Sequence, residues 1–154
     1  MTRSATGVGF LYGAALALTL ALPAQAETAR DLPLDRPTHV NDLQVACTGV
    51  GDGAQNKTQW SRYPVKLEAV GGYGQYLADE TVTIDGRDGA QMMRVRCDAP
   101  WVLMRLDPGH YAATVDVSGA SSKHVRFMVP AEGQSEVIVR FPKMMAGRDM
   151  SKQG

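Results

Sequence analysis

The stretch from Trp101 to Val117, WVLMRLDPGHYAATVDV, constrains the fold more than any other part of the chain. It joins an apolar run to an alternating one through the corner Leu106-Asp107-Pro108-Gly109-His110-Tyr111. Proline presets one turn dihedral, glycine accepts a positive φ, and the Asp107 side chain can close a local hydrogen bond to backbone. The corner therefore predicts a tight link between two antiparallel strands. On the first, Val102, Met104 and Leu106 share a face, with Trp101, Leu103 and Arg105 opposite; on the second, Tyr111, Ala113, Val115 and Val117 face inward. A tyrosine just past such a corner can bury its ring while its hydroxyl reaches backbone near the turn. Leu106, Pro108, Gly109 and Tyr111 are thus expected to form a structural corner.

The same alternation recurs along the chain. His39 to Thr48 places Leu43, Val45 and Cys47 on one face, and Tyr63 to Val70 places Tyr63, Val65, Leu67 and Ala69 opposite Lys66 and Glu68. Pro64 sits at a strand start, where a missing donor is tolerated. Glu80 to Asp85 turns Val82 and Ile84 inward, and Gln91 to Cys97 sets Met93, Val95 and Cys97 against Arg94 and Arg96. Lys123 to Val129 and a last run ending at Phe141 bury Val125, Phe127, Val129, Val137, Val139 and Phe141. Glycine turns separate these runs. Seven or eight short strands at such spacing predict an all-β chain, an antiparallel β-sandwich with one face of each sheet buried. Gly51 to Arg62 is polar apart from Trp60 and leaves a helical turn and a loop equally open.

The N-terminus carries Arg3, an apolar core from Phe10 to Leu22 and the small-residue end Pro23-Ala24-Gln25-Ala26. This is the pattern of a cleaved secretory signal over 1–26, with an apolar core short for a membrane span. Residues 27–38 read as an extended lead-in, 39–142 as the sandwich and 143–154 as a flexible tail. No stable membrane insertion is expected after cleavage. The remaining 128 residues hold 15 basic and 16 acidic groups, which gives no electrostatic reason to expect nucleic acid or an anionic membrane as partner. Cys47 and Cys97 are the two cysteines of a chain bound for an oxidising, periplasmic or secreted, environment. Both fall on apolar strand faces, so a disulfide between them is expected.

The residues also resemble a known family. Tyr63-Pro64-Val65-Lys66-Leu67, Gly74-x-Tyr76-Leu77-Ala78-Asp79-x-Thr81-Val82-Thr83-Ile84, Gly89, Ala99-Pro100-Trp101 and Leu106-x-Pro108-Gly109-x-Tyr111 are similar to carboxypeptidase regulatory-like domains. The likeness extends to collagen-adhesin B-type repeats and transthyretin-like sandwiches, and spans roughly Leu43 to Phe141. It implies a prealbumin-like or Ig-like sandwich and a non-catalytic module that supports or attaches to something else. Two chemistries of such folds can be compared by residue. Internal isopeptide bonds use a late asparagine, whereas the asparagines here are Asn41 and Asn56; transthyretin-like hydrolases end in Tyr-Arg-Gly-Ser, whereas the last strand here closes Val139-Arg140-Phe141-Pro142.

Candidate sites follow from the residue types. None of His39, His110 and His124 sits in a hydrolase or zinc motif, so no catalytic set is assigned. His124 and Met128, with Met104, Met144 and Met145 as soft donors, would suit copper by ligand type. Four residues along a strand span about 13 Å, however, too far to share one ion, so no metal or cofactor is assigned. Tyr73, Tyr76 and Trp101, set among glycines, form a candidate aromatic platform for an unknown envelope protein or glycan. The expected function is a secreted or periplasmic binding or accessory module. A small hydrolase on a transthyretin-like scaffold, needing histidine and arginine in one cleft, and a periplasmic copper carrier are the alternatives. Asn56-Lys57-Thr58 matches a glycosylation triplet of the kind that arises often by chance.

Overall fold

The computed structural model describes residues 27–144; the expected signal segment and residues 145–154 of the expected tail lie outside them. Among the described residues ten strands form two five-stranded sheets. They are β1 (Arg30–Asp31), β2 (Thr38–Val40), β3 (Leu43–Thr48), β4 (Val65–Gly71), β5 (Glu80–Asp85), β6 (Gln91–Cys97), β7 (Trp101–Met104), β8 (Gly109–Val117), β9 (Lys123–Val129) and β10 (Ser135–Phe141). The first sheet has the order β1-β6-β5-β8-β9 and the second β10-β4-β7-β3-β2. The chain is all-β, in an arrangement compatible with a sandwich.

The inward residues are those that period-two alternation selects. Val45, Cys47, Val65, Leu67, Ala69, Val102 and Met104 come from the second sheet, and Val82, Ile84, Met93, Val95, Cys97, Ala113 and Val115 from the first. Each of these is fully buried. Removal of this apolar surface from water is the main stabilising contribution. The disulfide is present: Cys47 on β3 and Cys97 on β6 lie 5.5 Å apart at Cα and tie one sheet to the other. For a loop of this size the chain-entropy account gives on the order of 4 kcal/mol.

Several expectations are corrected. The sheets are mixed: β10 runs parallel to β4, and β1 parallel to β6. Gln134 Nε2 donates to the carbonyls of Trp60 (3.0 Å) and Tyr63 (2.8 Å), and Ser135 N–H donates to Pro64 O (2.7 Å). These bonds start β10 at the same end as β4. Side-chain alternation is identical in parallel and antiparallel strands, so it could not distinguish them. The strand count exceeds eight because the lead-in pairs as well. Arg30–Asp31 joins β6, Leu32 is buried, and Leu34 bridges Cys47. The run His39 to Thr48 is divided into β2 and β3 by a turn in which Asn41 takes φ 53° and donates from its side chain to Met92 O (2.7 Å).

The corner also differs. β7 lies in the second sheet and β8 in the first, so Leu106 to Tyr111 carries the chain between sheets and does not join paired strands. Tyr63 leaves the face of Val65 because the strand starts only after Pro64. It packs instead with Trp60, Ala46 and Leu103 in a second cluster. That cluster lies beneath the β3–β4 connection, which forms a helical turn (Asp52–Gln55) and a 3-10 turn (Thr58–Arg62). Trp60 Nε1 donates to Ala54 O at 2.9 Å and fastens the two turns together. All four residues of β7 are consequently buried, which accounts for the unbroken apolar run at Trp101 to Met104.

Candidate functional site

The three rings of the expected platform occupy different depths. Trp101 is buried; its ring lies in the second sheet opposite Thr48 on β3 and Glu68 on β4. Gly49 covers it so closely that a Cβ there would approach the indole to 2.8 Å. The expectation of Trp101 as an open stacking surface is corrected: the folded β3–β4 connection covers it. Tyr76 stands edge-on to Trp101, with centroids 6.2 Å apart and planes at 86°, and remains 48% exposed. Tyr73 is 77% exposed at the tip of the β4–β5 turn.

That turn is braced from beneath. Gln75 Oε1 accepts the Tyr73 N–H (3.0 Å), and Gln75 Nε2 donates to Met144 O (3.0 Å). The Gly72 N–H donates to the same carbonyl (2.9 Å), and the Gly71 N–H to Gln75 O (2.8 Å). The tyrosines are thus held on a fixed turn above a buried tryptophan. Rigid rings lose little freedom on binding, which makes them efficient anchors.

Beside Trp101 lies a charge cluster. Lys66 Nζ is 2.5 Å from Glu68 Oε1, 2.7 Å from Glu136 Oε1 and 4.5 Å from the Trp101 ring centroid. Burial pulls the Lys66 ammonium down in pKa, but Glu136 and Glu68 outweigh it and hold the group above the usual lysine value. Glu136 is held below the ordinary carboxylate range by Lys66. Glu68 Oε1 accepts no well-directed hydrogen bond, yet its contact with Lys66 keeps it ion-paired. Glu80 has no such relief. It lies opposite Cys97 and Val117, is fully buried, and neither carboxyl oxygen has a hydrogen-bond partner among the described residues. Burial, reinforced by the Glu68 charge, pushes its pKa well above the normal value and so favours the neutral acid.

Around the corner the structure opens two shallow grooves that share Met92 and Tyr111. One, of about 340 Å³, is lined by His39, Asp42, Arg105 and Asp107; the other, of about 430 Å³, by Arg87, Asp88, Pro108 and His110. Tyr111 is half-buried, stacks on Phe127 at 5.8 Å and donates its hydroxyl to Asp107 O at 2.9 Å. Leu106 is buried, while Pro108 is exposed. Burial raises the Tyr111 pKa, with Asp107 adding to it.

Among the described residues the soft metal donors are not brought together. Met104 is buried in the second sheet, whereas His124 and Met128 are exposed on β9 of the first. His124 Nδ1 is bonded to Thr114 Oγ1 at 3.0 Å. Met144 is engaged with the 71–75 turn through its backbone, and Met145 lies outside the described residues. Among the described residues no three His, Cys, Asp or Glu side chains are grouped to hold a metal.

Lys66, Glu68, Glu80 and Gln134 were not singled out from the sequence. Glu80 could have been, since it has the strand parity of Val82 and Ile84 and is therefore directed inward. For Lys66 and Glu68 the alternation indicated only a polar face, because the segment that covers them is irregular. No family model matches this chain, and a search of the curated proteins found no match either.

Proposed function

We propose that this chain is a non-catalytic binding or accessory module of the cell envelope, secreted or periplasmic, on a carboxypeptidase regulatory-like, prealbumin-like sandwich. The observation that carries this reading is the braced β4–β5 turn. It presents Tyr73 and Tyr76 to solvent while their support, through Gln75, Met144 and Trp101, is internal. Large apolar rings with this exposure fit a contact surface for a protein or glycan. The disulfide between the sheets fits an oxidising compartment. Among the described residues no helix is long and apolar enough to cross a membrane.

A photo-crosslinking residue placed at Tyr73 in the periplasm tests the reading, with Arg126 on β9 as the control position. A discrete adduct from position 73 and none from 126 supports it. The same adducts from both, or none from position 73, contradict it.

A second reading, a small hydrolase on the same scaffold, is favoured by one observation: His39 and Arg105 line a single groove. It requires a substrate turned over by the purified protein and lost in His39→Ala.

A further inference from the structure

We propose that β10 is a self-association edge, which pairs antiparallel with β10 of a second copy about a two-fold axis at Ile138. The two sheets present four edge strands, β1, β9, β10 and β2. β1 has two residues and β2 three, too short to template a partner strand. β9 has seven but carries Lys123 and Arg126, cations that oppose pairing with another β9. β10 also has seven, Ser135-Glu136-Val137-Ile138-Val139-Arg140-Phe141, and contains neither proline nor lysine. Among the described residues its backbone ladder joins β4 alone.

The free backbone groups of β10 follow from its register. The Ser135 N–H donates to Pro64 O, so by alternation the groups of Ser135, Val137, Val139 and Phe141 face β4. Those of Glu136, Ile138 and Arg140 face the open edge. Their side chains all lie on the outer surface, where Ile138 is 42% exposed. A two-fold at Ile138 places Ile138 opposite itself, Glu136 opposite Arg140 of the second copy, and Arg140 opposite Glu136. This register gives every free N–H and C=O of the three residues a partner. It also creates two opposite-charge pairs flanking an apolar one. Centring the axis one residue away, on Val137 or Val139, loses both charge pairs. Among the described residues Arg140 has no ion-pair partner, while Glu136 already faces Lys66 on its other side. The resulting dimer is isologous and extends the second sheet to ten strands.

Sedimentation velocity on the mature protein, in a dilution series reaching about 0.3 mM, reads the association directly. Arg140→Glu alone and Glu136→Arg alone each place like charges opposite one another, and each is expected to weaken association by about tenfold or more. An equimolar mixture of the two restores both pairs and is expected to form a heterodimer. Ile138→Cys reads the register: residues at the axis of a hydrogen-bonded antiparallel pair lie about 5.5 Å apart at Cα, within bridging range, so a covalent dimer forms. Glu136→Cys, about 14 Å from its symmetry mate, does not link. Circular dichroism of each variant controls for folding, and Arg140→Glu removes no ion pair among the described residues. A parent that remains monomeric throughout, a dimer indifferent to both reversals, or equal linkage at positions 136 and 138 overturns the proposal.

Discussion

Replacing Glu80 by glutamine should change how stability depends on pH. Glu80 is fully buried at the start of β5, its oxygens have no hydrogen-bond partners, and Glu68 adds a like charge nearby. The folded-state pKa is therefore raised above that of the unfolded chain. A group of this kind contributes its stabilisation fully below the unfolded pKa and loses it as pH rises toward the folded one, because across that window the native state binds the extra proton. The limiting slope is about 1.4 kcal/mol per pH unit. Glu136, whose pKa is lowered by Lys66, acts in the opposite direction, and its window lies below the ordinary carboxylate value. From about pH 5 upward the decline should therefore come from Glu80. Glutamine keeps the size of the side chain and removes the titration. Urea unfolding from about pH 5 to 8 should show the parent losing stability with rising pH and Glu80→Gln nearly flat, so that the variant is the more stable at the alkaline end. A parent as flat as the variant, or a variant that falls below the parent at pH 8, would mean that folding does not raise the pKa of Glu80.

Other perturbations act on the packing that holds the turns. Gly49 has φ 104° and contacts the Trp101 indole, so Gly49→Ala should cost about 1–3 kcal/mol, seen as a lower urea midpoint with an unchanged slope. Tyr111→Phe deletes only the bond to Asp107 O and should cost about 0.5–1.5 kcal/mol, while Tyr111→Ala, which also removes the stack on Phe127, should cost more. Reducing the Cys47–Cys97 disulfide should lower unfolding free energy by on the order of 4 kcal/mol, read from denaturant unfolding with and without reductant.

Much of the inner core was legible because period-two alternation survives whatever the strand order: Val82, Ile84, Met93, Val95, Val137 and Val139 are all inward. The disulfide was legible for a related reason, since Cys47 and Cys97 share the parity of core residues. Strand direction was not legible, because it is set by long-range hydrogen bonds such as those of Gln134 to Trp60 and Tyr63. The second cluster under residues 49–64 also escaped, since it depends on how an irregular polar segment folds back over Leu103 and Ala46. For the same reason the alternation alone does not show that the Trp101 ring of the candidate platform is buried. Tyr73 and Tyr76 could be recognised as rings among glycines, but the Gln75 and Met144 contacts that brace their turn join residues 69 apart in sequence.

The proposed binding face is the pair of exposed tyrosines on this braced turn. Its most direct test is the affinity of Tyr73→Ala for the partner captured at that position, measured by isothermal titration beside the parent protein. Tyr73 is 77% exposed and its ring stacks on no other among the described residues, so the melting temperature should stay within about a degree. Binding should weaken at least about tenfold through the loss of an anchoring ring. Affinity equal to the parent's, in a protein that melts at the same temperature, would contradict it.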